Sequence, residues 1–292
     1  MQKDTIQKIR HILFPMDFSE RCCNVVPFVA SMARRYSAKV TLLSIVQPFY
    51  YAAMGDPGAA VVVDLEELLQ DLKIRLDSSL TKEFADLRVE RVAALGDPAK
   101  VITDFAHTQD VDLMMMPTHG YGPFRRLLGS VTVKVLHDTE CPVWTSAHMA
   151  EAPPRAHFAC TSVLCAVDGT PNSVALMKWA GEFSKDAGAA LRLVHVVPAK
   201  EGVISPQTDH SRKKELRKEA REALNELEAS AGVDAPICVA AGNVAETICD
   251  EARRHAADLI VIGRGVLHEI PGRLRTQAHA IIRKAPCPVL SV

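Results

Sequence analysis

The chain carries almost no net charge: 34 Lys and Arg stand against 35 Asp and Glu, a formal −1. No overall basic field draws it to nucleic acid or to an anionic membrane surface. Long apolar runs are missing too. The longest lie near 61–65 and 111–117, far short of the roughly 20 residues that span a bilayer. The first 20 residues hold no apolar stretch ahead of a small-residue cleavage site, so secretion is not expected and a cytoplasmic location is. None of the eight scattered cysteines forms CxxC, which reads as free thiols in a reducing compartment. The eleven histidines make no HxxxH pair on an expected helix, and no metal site is expected. The phosphate loop GxxxxGK[ST] is absent, as are an HxGH-like pair and an SGGxDS loop. With no evident nucleophile–base pair either, an enzyme is not the expected reading.

What is present is a repeat. "HILFPMDFSE" (11–20) resembles "SVLCAVDGTP" (162–171), each a β-rich run ending in an aspartate, Asp17 and Asp168. "VTLLSIVQP" (40–48) resembles "ALRLVHVVP" (190–198), "ALGDPAKVI" (94–102) resembles "AAGNVAETI" (240–248), and "VDLMMMP" (111–117) resembles "ADLIVIG" (257–263). "CPVWT" (141–145) returns as "CPVLS" (287–291). The offset is about 150 at first and settles at 146 from Gly96/Gly242 to Cys141/Cys287. The segment "SAHMAEAPPRAHFA" (146–159), with two prolines, reads as a connector. The chain therefore divides into a domain over 1–146, a linker over 147–160 and a second domain over 161–292.

Within each copy strand and helix patterns alternate. Strands are expected at 11–16, 39–46, 89–95, 111–116 and 142–145. Ser19 is the expected cap of a helix whose apolar face is Val25, Val29, Met32 and Tyr36, and Thr170 with Pro171 the matching start in the second copy. Leu65, Leu69, Leu72, Leu76 and Leu80 make one apolar stripe, while "SRKKELRKEAREALNELEA" (211–229) reads as a solvated helix face. Asp97 with Pro98 opens a further helix, and Asn243 with Glu246 forms a capping box. The near-wholly apolar fourth strand suits a strand covered on both faces. The expected fold class is α/β: two tandem, doubly wound, Rossmann-like domains, each a five-stranded parallel sheet with helices on both faces. Ligands of such sheets sit beyond the carboxyl ends of the strands, at the topological switch point.

The loop "PTHGYGPFRRLLG" (117–129) is about twice the usual length after a strand of this kind. Gly120 and Gly122 let backbone come close to a ligand. Gly129 and Ser130 precede "VTVKVLHD", so N–H groups at a helix start favour phosphate, and Ser130 adds a hydroxyl. Arg125 and Arg126 either meet outer phosphates or form an exposed basic turn. His119 either contacts a ligand or caps the loop.

The ordered set of these features resembles tandem universal stress protein domains over nearly the whole chain. That family's nucleotide pattern is Gly, two residues, Gly, nine residues, Gly, then Ser or Thr. Here it stands as Pro117-Thr118-His119-Gly120, eight residues, Gly129-Ser130. Pro117 replaces the first glycine and has no N–H to give. The spacer is one residue short. The resemblance implies that Asp17 serves the adenine end, beside Pro15 and Met16. It implies that Val46 lines the base and that Met116 forms another wall. Thr118, His119, Gly120, Arg125, Gly129, Ser130 and Val131 would complete the site around ATP, with or without Mg2+. In the second copy Arg275 stands at the Gly129 position, Thr276 at Ser130 and Val266 at Gly120, which reads as a degenerate site. Arg264, Arg273 and Arg275 there either recognise an anion by side chains or form salt bridges. The function implied is that of an ATP-binding stress-response or signalling module with an unidentified protein partner. The alternatives are a ligand-free interaction scaffold and a slow ATP-hydrolysing enzyme. The resemblance also implies an internal pseudo-dimer paired through the last strands, and leaves further association into a homodimer open.

Overall fold

The computed structural model describes residues 9–47, 64–118, 128–146, 158–198, 206–264 and 273–292. The chain forms two compact units, one built on Gln7–Ser146 and the other on Ala159–Val292. In the N-terminal unit β1 (His11–Pro15), β2 (Lys39–Val46), β3 (Val89–Leu95), β4 (Leu113–Pro117) and β5 (Val143–Ser146) run parallel in the order β3-β2-β1-β4-β5. In the C-terminal unit β6 (Ser162–Ala166), β7 (Ala190–Pro198), β8 (Ile237–Gly242), β9 (Leu259–Ile262) and β10 (Val289–Ser291) repeat this as β8-β7-β6-β9-β10. Each unit is a doubly wound α/β domain. Every residue of β1, β4 and β5 is buried, whereas no residue of β3 is, as befits an edge strand.

The helices are α1 (Glu20–Cys23), α2 (Val26–Tyr36), α3 (Leu65–Ser78), α4 (Pro98–Thr108) and α5 (Ser130–Asp138), then α6 (Ser173–Ala187), α7 (Pro206–Ala231), α8 (Val244–Arg254) and α9 (Arg273–Lys284). Local chemistry explains most boundaries and corrects several expectations. Ser19 is a cap, but of the four-residue α1. The expected single helix breaks before Val26, because Pro27 has no N–H to give to Cys23. Thr170 does not cap α6. Ser173 N donates to the Thr170 backbone carbonyl rather than to its hydroxyl, and Asn172 precedes the helix without a side-chain bond. Asp97 accepts from Lys100 N and caps α4, with Pro98 at its first position. Asn243 accepts from Glu246 N, but the Glu246 carboxylate turns to Lys284 at 2.8 Å, so only half a capping box forms. The leucine stripe ends early: Leu76 is buried, Leu65 is 41% exposed, and Leu80 lies beyond α3 with φ 54°.

The sheet register also corrects the alignment of the copies. His11 pairs with Lys39 and Ser162 with Ala190, so β2 and β7 match at 151 residues. Ser44 therefore matches His195, and Val46 matches Val197. A one-residue slip in a strand exchanges its two faces.

At the connector's end, Phe158 packs on the N-terminal unit. Its ring lies 4.9 Å from Phe28 and 5.5 Å from the fully buried Trp144, and its N–H donates to Ser31 Oγ over 3.0 Å.

Candidate functional site

Three adjacent parallel strands, β2, β1 and β4, bring their carboxyl ends to one edge of the N-terminal sheet. The chain moves from β1 toward β2 and β3, then returns past β1 to β4. The crevice between β1 and β4 is thus the switch point.

At the end of β1, Met16 N donates to Leu43 O over 2.8 Å and extends the ladder beyond Pro15. Asp17 is half-buried, and its Oδ1 accepts from Ser19 N (2.9 Å) and Ser19 Oγ (2.6 Å). Ser19 Oγ in turn accepts from Cys22 N at the start of α1. Between them Phe18 holds a left-handed φ of 60°, which costs a bulky side chain about 1–2 kcal/mol. The Arg75 guanidinium from α3 lies over its ring at 4.0 Å. Such strain gathers at functional sites. Val46 at the end of β2 is 7% exposed, and its carbonyl accepts from Gly96 N over 3.0 Å. Gly96 turns there with φ 142°, as its counterpart Gly242 does with φ 155°.

At the end of β4, Met116 and Thr118 are buried and Pro117 closes the strand. Gly129 N donates to Thr118 O over 2.9 Å, and Thr132 Oγ1 donates to Pro117 O over 3.2 Å. These two bonds fasten the start of α5 to the end of β4. Gly129 is the cap position with φ −60° and ψ 143°, and no side chain caps α5. Its own N–H is used by Thr118, so it does not face the crevice as the sequence implied. The next donors, Ser130 N and Val131 N, have no intrahelical partner, and the helix dipole adds to their pull on an anion. His119, Gly120 and Arg125 lie outside the described residues, as do Gly122 and Arg126. The structure brings Pro15, Met16, Asp17, Val46, Met116, Pro117, Thr118, Gly129, Ser130 and Val131 to one edge. The sequence marks Ser19 only as a helix cap, not as the partner of Asp17, and marks none of Thr132, Phe18 and Arg75. One signal for Phe18 was present: its counterpart in the repeat is Gly169.

The C-terminal unit differs at the same edge. Asp168 Oδ1 accepts from Thr170 N (3.0 Å), Thr170 Oγ1 (2.8 Å) and Ser173 Oγ (2.7 Å). Burial pushes this carboxyl up, but the bonds from Ser173 and Thr170 together outweigh it and hold it below the usual carboxylate range. His195 Nδ1 donates to Val167 O over 2.9 Å. Helix α9 begins at Arg273, so the Arg275 position falls inside its first turn, whereas the matching Gly129 precedes α5. Val266 lies outside the described residues. No group of three or more His, Cys, Asp or Glu able to hold a metal gathers among the described residues. No helix there is long and apolar enough to cross a membrane.

Each unit thus falls in the class of doubly wound α/β domains whose topological switch point lies at the ends of its first and fourth strands. The family model for the universal stress protein family matches residues 8–146 and again 160–292. The chain belongs to that family and carries two of its domains in tandem. Universal stress protein A homolog 1 of Coxiella burnetii is 30% identical over 137 residues, which is 46% of this chain and 93% of that protein. A universal stress protein of Methanocaldococcus jannaschii is 27% identical over 151 residues, 46% of this chain and 92% of that protein. The crystal structure of a universal stress protein from Archaeoglobus fulgidus superposes with a TM-score of 0.67 at 19% identity, covering 99% of this chain and 97% of that one. That likeness speaks to the fold.

Proposed function

We propose that the N-terminal unit binds an adenine nucleotide, ATP, and that the chain acts as a nucleotide-dependent stress-response or signalling module. One observation carries this reading: an uncapped helix start is fastened to the end of β4 beside the Asp17 edge. The α5 start suits phosphate, the apolar Val46 and Met116 suit a base, and Asp17 offers acceptors to an amine. Any Mg2+ would be held through the phosphates of the nucleotide. Pro117 and the engaged Gly129 N remove two backbone donors, which favours a ligand-free scaffold as the second reading. Slow hydrolysis of ATP is a third, with no base assigned to it.

Mass spectrometry of small molecules released from heat-denatured pure protein tests the first reading against the second. Calorimetric titration is expected to saturate at about one ATP per chain. Two equivalent sites would overturn the one-site reading, and no heat of binding would favour the scaffold. Pairing of the two copies through their last strands, which the family resemblance implies, belongs to the same proposal. Units expressed alone that proved monomeric and as stable as the full chain would overturn it.

A further inference from the structure

His195 stands on β7 where the register puts Ser44 in β2. Its Nδ1–H donates to the Val167 carbonyl over 2.9 Å. Val167 is the counterpart of Met16, because the two N–H groups make the same bond, to Val194 O (2.9 Å) and to Leu43 O (2.8 Å). The imidazole therefore takes a backbone carbonyl at the residue just before the strand-end aspartate. Gly169 makes room for it. A Cβ there would lie 3.3 Å from Cε1 of the ring and 3.6 Å from Nδ1. The N-terminal unit makes both choices in the opposite sense. Phe18 carries a side chain where the C-terminal unit has Gly169, and Ser44 is short where the C-terminal unit has a ring. Both Phe18 and Gly169 hold a left-handed φ, 60° and 78°. The turn is thus shared, and only the filling of the space beside it differs.

The filling has a chemical character. Imidazole is a flat nitrogen heterocycle with an N–H donor on one edge. It makes on the Val167 carbonyl the demand that the amine edge of a nucleobase makes on an acceptor. Asp168 is also more fully engaged than Asp17, with Ser173 added to its own-turn donors.

We propose that His195 is a built-in occupant of the C-terminal unit's strand-end crevice, holding the place of a planar nitrogen heterocycle and closing that crevice to nucleobases. The proposal rests on reading the matching N-terminal edge as the base end of a nucleotide site. It makes the second unit closed at its base end independently of the altered helix start at its phosphate end.

The test uses adenosine, which has no phosphate to lose, on the full chain. His195→Ser installs the N-terminal unit's residue. In amide NMR spectra adenosine is expected to shift Asp168 to Ser173 saturably in His195→Ser and to leave them unmoved in wild type. The amides of Asp17 to Ser19 are expected to move in both. Unmoved Asp168 to Ser173 amides in the folded variant, or moved ones in wild type, overturn the occupant. Unmoved Asp17 to Ser19 amides in both would instead overturn the nucleotide reading of the N-terminal unit. His195→Gly covers a failure of the serine variant to fold. Free imidazole is expected to raise its Tm and not that of wild type, and an unchanged Tm would count against the slot.

Discussion

Under the proposed nucleotide reading, Gly129 stands at the α5 start that would take the phosphate. Its φ of −60° is open to any residue, so Gly129→Arg brings no left-handed strain. The variant should fold with wild-type circular dichroism and still lose ATP in a binding titration, because the side chain stands between phosphate and the Ser130 and Val131 donors. Wild-type affinity in that variant would show that the loop after β4 does not hold phosphate. Asp17→Ala acts at the other end. Losing a hydrogen bond to a charged acceptor costs about 1.5–3 kcal/mol, so ATP should weaken by roughly tenfold or more and the preference for adenine over guanine should fall. Equal ATP and GTP affinities in wild type would remove that role. A third residue-scale test concerns the end of the helix after the first strand. Ser37 (φ 53°) and Gly188 (φ 65°) hold the same left-handed cap, with Ala38 N on Ala33 O and Ala189 N on Ser184 O. Nothing lies within 4 Å of a Cβ at Gly188. Backbone preference alone then sets the signs: Ser37→Gly should stabilise and Gly188→Ala destabilise, each by about 0.5–1 kcal/mol in urea unfolding. Equal signs would mean that the cap is not what the substitutions read.

At the scale of elements, Arg34 on α2 reaches the turn after α3. Its Nε and one terminal nitrogen each meet a different Asp86 oxygen at 2.8 Å, and that terminal nitrogen also donates to Glu83 O. The bond from Arg34 holds the Asp86 carboxyl down to about 2. A depressed folded value adds stability above the unfolded one, about 3.9, and loses it as pH falls toward 2. The stability gap between wild type and Arg34→Ala should therefore be constant at neutral pH and close between about pH 4 and 2. The pair is exposed, so the gap will be small and salt-sensitive. A gap that persists at pH 2 would assign Arg34 to packing instead. Elements were legible in the sequence where one periodicity dominated. β2 and β3 fall on the expected 39–46 and 89–95, since unbroken apolar or β-rich runs stop at a polar turn. Boundaries set by a single side-chain bond were not legible. Ser19 and Thr170 look alike as caps and each donates to its own strand-end aspartate, but Cys22 N donates to the Ser19 hydroxyl whereas Ser173 N donates to the Thr170 carbonyl. Of the crevice, the strand ends and the glycine turn could be read because glycine and apolar runs leave marks in one dimension. The Thr132–Pro117 and Gly129–Thr118 bonds and the Arg75–Phe18 stack leave none.

The whole molecule is a repeat whose halves solve the same backbone differently. Two left-handed positions, Phe18 and Ser37, are ordinary residues in the first half, where the second has Gly169 and Gly188. If only the first half binds nucleotide, ligand at a hundredfold its Kd should stabilise that half by about 2.7 kcal/mol and leave the other unmoved. The molecule carries its own means of seeing this. Its two tryptophans fall one to each half. Trp144 is shut away among Phe28 and Phe158, while Trp179 is half-buried and stacked on Phe183 at 5.3 Å. A dry indole emits at shorter wavelength than a wet one, so the two halves have separable colours. Trp144→Phe and Trp179→Phe would each leave a single native lamp, and only the one lit by Trp144 should go out later on heating with ATP.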